Sequence, residues 1–246
     1  MRPPGDCFRR AVTTRGGPSP DPELARRQHA AFREALTAAG AAVVALDADE
    51  HHPDACFTQD LAVVLSGHAL VCRPALASRR GEVAGVLPAL AGLVASTTAL
   101  PAGATLEGGD VLRAGDRRLV VGRSARTNAA GIGALEAFAR PLGWSVGVAD
   151  VPPWILHLQT GVTVAGGLAL GLAEVVGQPA FAGLESVVVP DVDACNVLAV
   201  GGHAVTAVRH DAHRALEGAG FTVVDLDLSE FTRADGGPTC LALIVE

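Results

Sequence analysis

The sequence predicts a single α/β domain built from repeated units. Three observations carry the prediction: apolar segments that alternate between strand and helix patterns, a recurring polar residue at the edge of one strand per round, and no dividing linker. The chain has 246 residues, and at roughly 150 residues per domain it could hold one or two domains. No stretch rich in Pro, Ser or charge interrupts it, so residues 1–246 read as one domain. Hydrophobic residues make up 49% and charged residues 18%, enough to close a large core without disulfides or a metal. No apolar run reaches the roughly 18 residues of a membrane span.

The first element runs from Asp21 to Gly40, with Asp21 as N-cap, Pro22 at the first helical position, Leu24, Ala31, Phe32, Ala35 and Leu36 at helical spacing, and Gly40 past the end. Ala42 to Leu46 follows as a short apolar strand. Leu61 to Leu65 and Ala69 to Cys72 then read as a hairpin around Ser66-Gly67-His68, followed by a helix over 79–93. The same succession returns as Val111-Leu112, Leu119 to Gly122, a helix over 127–142 and the strand 145–148. It returns again over 156–189, and again as 197–208, a helix over 211–218 and the strand 221–224. Leu241 to Val245 reads as a final buried strand. Asp60, Asp110, His157, Asn196 and Cys240 mark the rounds at separations of 50, 47, 39 and 44 residues, a period that signifies internal repeats. Five such units cannot bury their faces singly and are expected to pack around a common axis, with their polar edges converging.

Composition removes several chemistries. All 19 basic residues are Arg, and the chain has no Lys and no Tyr. Schiff-base catalysis, a Walker-type phosphate lysine, a Glu-Lys-Cys amidase and Tyr-Lys reductase chemistry are therefore excluded. A net charge of −7 without a basic tract argues against a nucleic-acid partner. Five cysteines without a C-x-x-C pair fit neither a disulfide framework nor a zinc knuckle. With a start that carries no apolar leader, they predict a cytoplasmic protein. Cys7, Cys56, Cys72 and Cys195 read as small core hydrophobes.

Five phrases could carry chemistry. Leu106-Glu107-Gly108-Gly109-Asp110 sets two carboxylates around a glycine pair ahead of a strand, where backbone can approach a ligand; it reads equally as a glycine turn with solvated acids. His157 lies between two leucines in a strand that begins at Trp154-Ile155, placing it on the face opposite Leu156 and Leu158, as a catalytic group or as an ordinary core histidine. Thr239-Cys240 sits where a turn enters the last strand, a position for a nucleophile or for an inert thiol. Phe57-Thr58-Gln59-Asp60 offers a carboxylate for a cation, and Gly122 to Asn128 offers guanidinium donors for a carboxylate. His51-His52 reads as loop, and His210 with His213 as a solvated helix face.

Taken in order, Asp54 to Asp60, Leu106 to Leu112, Gly122 to Asn128, Leu156 to Leu158 and Asp235 to Cys240 resemble the dimethylarginine dimethylaminohydrolase family of the pentein group. The resemblance spans nearly the whole chain. It implies a five-bladed α/β propeller of ββαβ units and the hydrolysis of N-omega-methylated arginine to citrulline through a covalent cysteine thiouronium. It implies Cys240 as nucleophile, His157 as general acid and base, Glu107 as the group that orients His157, and Asp60 as partner of the substrate guanidinium. Arg79 and Arg126 would hold the α-carboxylate. Asp54, Asp235 and the backbone of Val12 and Ala234 would line the rest of the pocket. The family carries Glu where this chain has Gln59, so a neutral amide is expected to replace one carboxylate beside the guanidinium. No cofactor and no metal are implied. The partner expected is a small-molecule substrate, with room for a homodimer. Residues 13–20, glycine-rich and next to Val12, are expected to act as a lid. The alternatives are an arginine deiminase-like hydrolase of free arginine and a non-catalytic binder on the same scaffold.

Overall fold

The computed structural model describes residues 1–245. Helix α1 (Pro22–Ala38) begins where predicted: the Asp21 carboxylate accepts from the N–H groups of Glu23 and Leu24, and Gly40 past its end adopts φ +90°. Its inward face presents Ala25, Gln28, His29, Phe32 and Leu36, the i, i+3, i+4 succession of one helical stripe.

Four units of one topology follow. The first is β1 (Ala62–Leu65), β2 (His68–Val71), α2 (Leu87–Ala91) and β3 (Ser96–Ala99). The second is β4 (Val111–Arg113), β5 (Arg118–Arg123), α3 (Ala129–Ala139) and β6 (Ser145–Asp150). The third opens with the turn α4 (Leu158–Gly161) and continues as β7 (Val162–Ala165), β8 (Leu168–Gly171), α5 (Ala173–Val176) and β9 (Glu185–Val188). The fourth opens with α6 (Val192–Cys195), then β10 (Val197–Val200), β11 (His203–Thr206), α7 (Arg214–Gly218) and β12 (Thr222–Asp225). In each, the first two strands pair antiparallel and the third joins the second in parallel, the ββαβ order expected. Three hairpins share one turn, with positive φ at both central residues: Ser66-Gly67, Gly166-Gly167 and Gly201-Gly202. That geometry matches the right-handed strand twist. The predicted helix over 79–93 is instead a short helical stretch, Ala77–Gly85, and then α2, because Pro88 supplies no N–H and starts a new helix rather than continuing one. Helix α8 (Ser229–Arg233) precedes a last turn, Pro238–Leu241.

The fifth unit departs from expectation. Residues 42–46 and 242–245 form no strand, and among the described residues the four three-stranded sheets do not join into a closed barrel. The two segments come from opposite ends of the chain, so no tight turn sets their register. An apolar groove of about 600 Å³ is lined by both. The first segment is tied to the N-terminus, with Leu46 N–H donating to the Met1 carbonyl and the Met1 ammonium to that of Val44. Even so, residues 242–244 line one cavity with β1, β4, β7 and β10, a space of about 230 Å³. No helix of the described residues is long and apolar enough to cross a membrane.

Candidate active site

The polar markers share one structural position. Each lies on or beside a single helical turn ahead of an apolar segment: Asp60 in Thr58–Leu61, Glu107 and Asp110 at Gly108–Asp110, His157 as N-cap of α4, Asn196 after α6, and Cys240 in Pro238–Leu241. The five turns are linked in a ring by hydrogen bonds. Gly109 N–H donates to Asp60 Oδ1 at 2.9 Å, and Leu158 N–H to Asp110 Oδ1 at 2.9 Å. Asn196 Nδ2 donates to the Gln159 carbonyl at 3.4 Å, Thr239 N–H to Asn196 Oδ1 at 3.0 Å, and Thr58 Oγ1 to the Leu241 carbonyl at 3.3 Å. Glycine makes the close approach possible: a Cβ on Gly108 would lie 2.0 Å from the Gln59 carbonyl oxygen, and one on Gly109 would lie 2.8 Å from Asp60 Oδ1.

On one side of this ring a pocket is lined by Val12, Asp54, Phe57, Asp60, Leu76, Arg79, Arg126, Leu156, His157, Ala234, Asp235, Gly236 and Cys240. Every site residue read from the sequence except Glu107 and Gln59 is in that lining. Glu107 lies directly behind it, fully buried, with Oε2 at 2.7 Å from His157 Nε2. Asp60 Oδ1 stands 3.9 Å from the same nitrogen. Burial disfavours the imidazolium, but Asp60, the Glu107 hydrogen bond and Asp110 outweigh it and push His157 up to about 9. Asp60 is itself held below the ordinary carboxylate range: burial opposes its charge, and His157 and Arg79 overcome that. Burial, followed by the charge of Asp60, pushes the Cys240 thiol up to about 11. At neutral pH the empty pocket therefore holds an imidazolium and a neutral thiol. His157 is not in a strand as expected, because Pro152-Pro153 cannot donate to a ladder; it is extended at the N-terminus of α4.

Arg79 lines the pocket as expected and is already engaged within it, its Nη1 making one hydrogen bond there. Nε and Nη2 bind Glu82, Nη1 reaches Asp60 Oδ2 at 2.6 Å, and Nη2 also donates to the Phe57 carbonyl at 3.3 Å. Glu82 was not singled out in the sequence, although its i+3 spacing from Arg79 on a helical stretch is a signal for such a pair; burial pushes it up to about 7 against the pull of Arg79. Arg126, partly exposed with Nη1 at 3.4 Å from both Glu107 oxygens, remains to meet a carboxylate. The expected placement of Gln59 is corrected: it does not face the pocket. Neighbouring residues of so tight a turn diverge by about 120°, so Asp60 points to the pocket while Gln59 lines the axial cavity and its Nε2 donates to Gln159 Oε1 at 3.1 Å. The expected solvated face at His210 and His213 is also corrected: His213 is fully buried, its Nε2 on the Ala194 carbonyl.

The remaining pocket groups have defined tasks. Asp54 Oδ1 accepts from Val12 N–H, and Ala234 N–H is spent on the Phe231 carbonyl, so Val12 and Ala234 have only carbonyls to offer a ligand. Asp235 accepts from Thr14 and from Arg15 Nε, and Arg15 continues to Asp193. Residues 13–15 are thus tied to Asp235, which lines the pocket, and to Asp193. Asp60, Glu107 and His157 offer atoms within 4.8 Å of one another, close enough to share an ion, but Arg79 and Arg126 already neutralise the two carboxylates.

The family model described as N,N dimethylarginine dimethylhydrolase, eukaryotic, matches residues 15–149. The chain is 36% identical over 230 residues to the N(G),N(G)-dimethylarginine dimethylaminohydrolase of Streptomyces coelicolor, covering 91% of this chain and 86% of that protein. It is 30% identical over 229 residues to the enzyme of that name from Pseudomonas aeruginosa, covering 91% and 89%. The structure of a Pseudomonas aeruginosa mutant of that enzyme complexed with citrulline superposes with a TM-score of 0.93 at 28% identity, over 98% of this chain and 96% of that one. The N-terminal domain of the cyanobacterial arginine dihydrolase ArgZ shares the fold, with a TM-score of 0.86 at 22% identity over 99% and 95%.

Proposed function

The chain belongs to the dimethylarginine dimethylaminohydrolase family, and from that premise we propose that it hydrolyses N-omega-methylated arginine, asymmetric dimethylarginine and monomethylarginine, to citrulline and the methylamine as a cysteine-dependent amidinohydrolase. The observation that carries the reading is the pocket in which Asp60, an imidazolium at His157 and the Cys240 thiol meet under a surplus of carboxylates. A planar guanidinium is a poor electrophile until it is held as a cation and met by a strong nucleophile. Asp60 holds it. As that positive charge enters, the Cys240 thiol gives up its proton to solvent, and the thiolate attacks the central guanidine carbon. His157 gives its proton to the departing amine as the C–N bond breaks, leaving a thiouronium on Cys240. Now neutral and oriented by Glu107, His157 takes a proton from water as that water adds to the same carbon. The C–S bond then breaks and the hydroxyl on that carbon loses its proton to solvent, so that the thiolate and the neutral citrulline ureido group are released. The substrate α-carboxylate goes to Arg126, and its ammonium to Asp54, Asp235 and the carbonyls of Val12 and Ala234.

We read the fold as a five-bladed propeller and a single catalytic domain. The ring of five turns and the cavity shared by five apolar segments support this reading. Five unpaired cysteines support a cytoplasmic setting. The test is citrulline release from asymmetric dimethylarginine, monomethylarginine and arginine in parallel, with Cys240→Ser as the blank. Turnover of the methylated substrates, abolished in Cys240→Ser, is expected. Preference for free arginine would change the substrate and keep the chemistry, whereas turnover by Cys240→Ser would overturn the mechanism.

A further inference from the structure

Asp110 touches nothing in the pocket, yet its carboxylate reaches every segment that carries a catalytic group around His157. It is fully buried. Oδ1 accepts the N–H of Leu158, the residue after His157, at 2.9 Å. Oδ2 accepts the hydroxyls of Ser124 at 2.6 Å and Thr127 at 2.7 Å. Those hydroxyls act in turn on the neighbouring chain: Ser124 Oγ accepts the N–H of Arg126 at 2.9 Å and of Thr127 at 3.1 Å, and Thr127 Oγ1 accepts the N–H of Glu107 at 3.3 Å. The room is made by glycine, since a Cβ on Gly122 would come within 2.8 Å of Asp110 Oδ1. Three donors to a buried carboxylate are a fully satisfied network, the kind that specifies one arrangement.

We propose that Asp110 is a positioning residue for the reaction, its carboxylate fixing Glu107, Arg126 and His157 relative to one another and adding negative potential behind the imidazole. This rests on the reaction proposed above. Its charge is one of the groups that keep His157 protonated, together with Asp60 and Glu107. The cations facing the same carboxylates are Arg79 and Arg126, and Cys240 opens on the same pocket. Charges on the other elements packed against the His157 turn are engaged elsewhere: Arg113 on the Val64 carbonyl, Arg118 on those of Ala114 and Ala182, Arg123 on Asp150, and Asp193 on Arg15.

Asp110→Asn keeps the shape and removes the charge. In that variant kcat is expected to fall on the order of 10–100-fold, the loss that a small misplacement of reacting groups produces, and KM to rise as the Arg126 segment loosens. The imidazole titration of His157, followed by NMR in the substrate-free protein, is expected to move to lower pH. A purely structural role would leave that titration in place, and the readout is independent of whether methylated arginine is the substrate. Wild-type kcat and KM with an unmoved His157 titration would overturn the proposal. Ser124→Ala supplies the second arm and serves alone if Asp110→Asn does not fold: it removes the acceptor of the Arg126 and Thr127 N–H groups but keeps the Thr127 hydroxyl on Asp110 and Glu107 and the Asp110 charge, so KM rises while the His157 titration stays in place. An unchanged KM there overturns the link to Arg126, and a displaced titration overturns the division of tasks between the two oxygens.

Discussion

The two sides of the ring of turns differ in chemistry although their residues alternate along the chain. Asp60, His157 and Cys240 face the pocket, while Gln59, Gln159 and Thr239 face the axial cavity one or two residues away. The pocket side is charged, with Asp60, Glu107, His157, Arg79 and Arg126 paired among themselves. The cavity side carries no carboxylate among its described lining: its charged group is Arg113, which donates to the Val64 carbonyl, and beside it lies a pair of amides in which Gln59 Nε2 binds Gln159 and Gln159 Nε2 donates to the carbonyls of Gly108 and Val111. One group there is unsatisfied, the buried Gln59 Oε1. The difference teaches that the charge needed to hold a guanidinium is confined to one face of a thin layer, and that a carboxylate is tolerated where cations and turn N–H groups surround it.

The largest effect is expected on the pocket side. Asp60→Asn removes the carboxylate proposed to hold the guanidinium and leaves Arg79 facing a neutral amide. A hydrogen bond to a charged group is worth about 1.5–3 kcal/mol, so kcat/KM is expected to fall ~10- to 10²-fold. The pH dependence should change with it, because Asp60 is the foremost charge that raises His157: the limb belonging to His157 is expected at lower pH than in the parent. Steady-state kinetics across pH checks both. An unchanged kcat/KM would mean that the charged side is not where the substrate cation binds.

The cavity side offers the converse test. Gln59→Glu places a carboxylate against the Gln159 amide, in a buried cavity whose described lining holds no other acid. A buried acid of this kind has its folded pKa raised above its unfolded value of about 4.3. The destabilisation is therefore full above the raised pKa, fades as pH falls, and is absent below pH ~4, where the carboxyl is protonated in both states. A cost of about 1–3 kcal/mol at neutral pH corresponds to a Tm lower by several degrees, at roughly 2–4 °C per kcal/mol for a chain of this size. Thermal melts from pH 4 to 8 check this, and a variant as stable as the parent at pH 8 would end the contrast between the faces. Citrulline release by the same variant should change less than in Asp60→Asn, because the side chain does not line the pocket.

The sequence made the repeat and most of the pocket legible for a physical reason. The ring sits at the start of each unit, so a polar residue at the edge of each apolar strand marks a convergence point whatever the helices do. Glu107, His157 and Cys240 could be named because they fall at those edges. Gln59 was misplaced because adjacency in sequence does not convey on which side of a tight turn a side chain emerges. The partners of Arg79, Glu82 and Asp60, come from two segments, and only packing shows that they meet on one guanidinium. The fifth unit was expected from the period of the polar markers and from the resemblance, with residues 42–46 and 241–245 as apolar strands, but a ladder also requires a partner in register, and segments from the two ends of a chain have no turn to provide it.

The mouth of the pocket supplies the smallest test and bears on how the charged side is reached. Residues 13–15 follow Val12, which lines the pocket, and bind Asp235, which also lines it, so movement of that segment is expected to govern access to Cys240. Arg15 is its anchor, on Asp193 and Asp235, and 37% of its side chain is exposed. Exposed ion pairs contribute about 0.2–1 kcal/mol each, and screening by salt weakens them further. Arg15→Ala is accordingly expected to open the segment only a few-fold more often, and to raise by that factor the rate at which an electrophilic amidine modifies Cys240. Raising the ionic strength should accelerate the parent in the same direction and leave Arg15→Ala unaffected, because the variant has no pair left to screen. Equal modification rates in parent and variant at low salt would show that residues 13–15 do not gate the site, and that the thiol is reached by another opening of the ring.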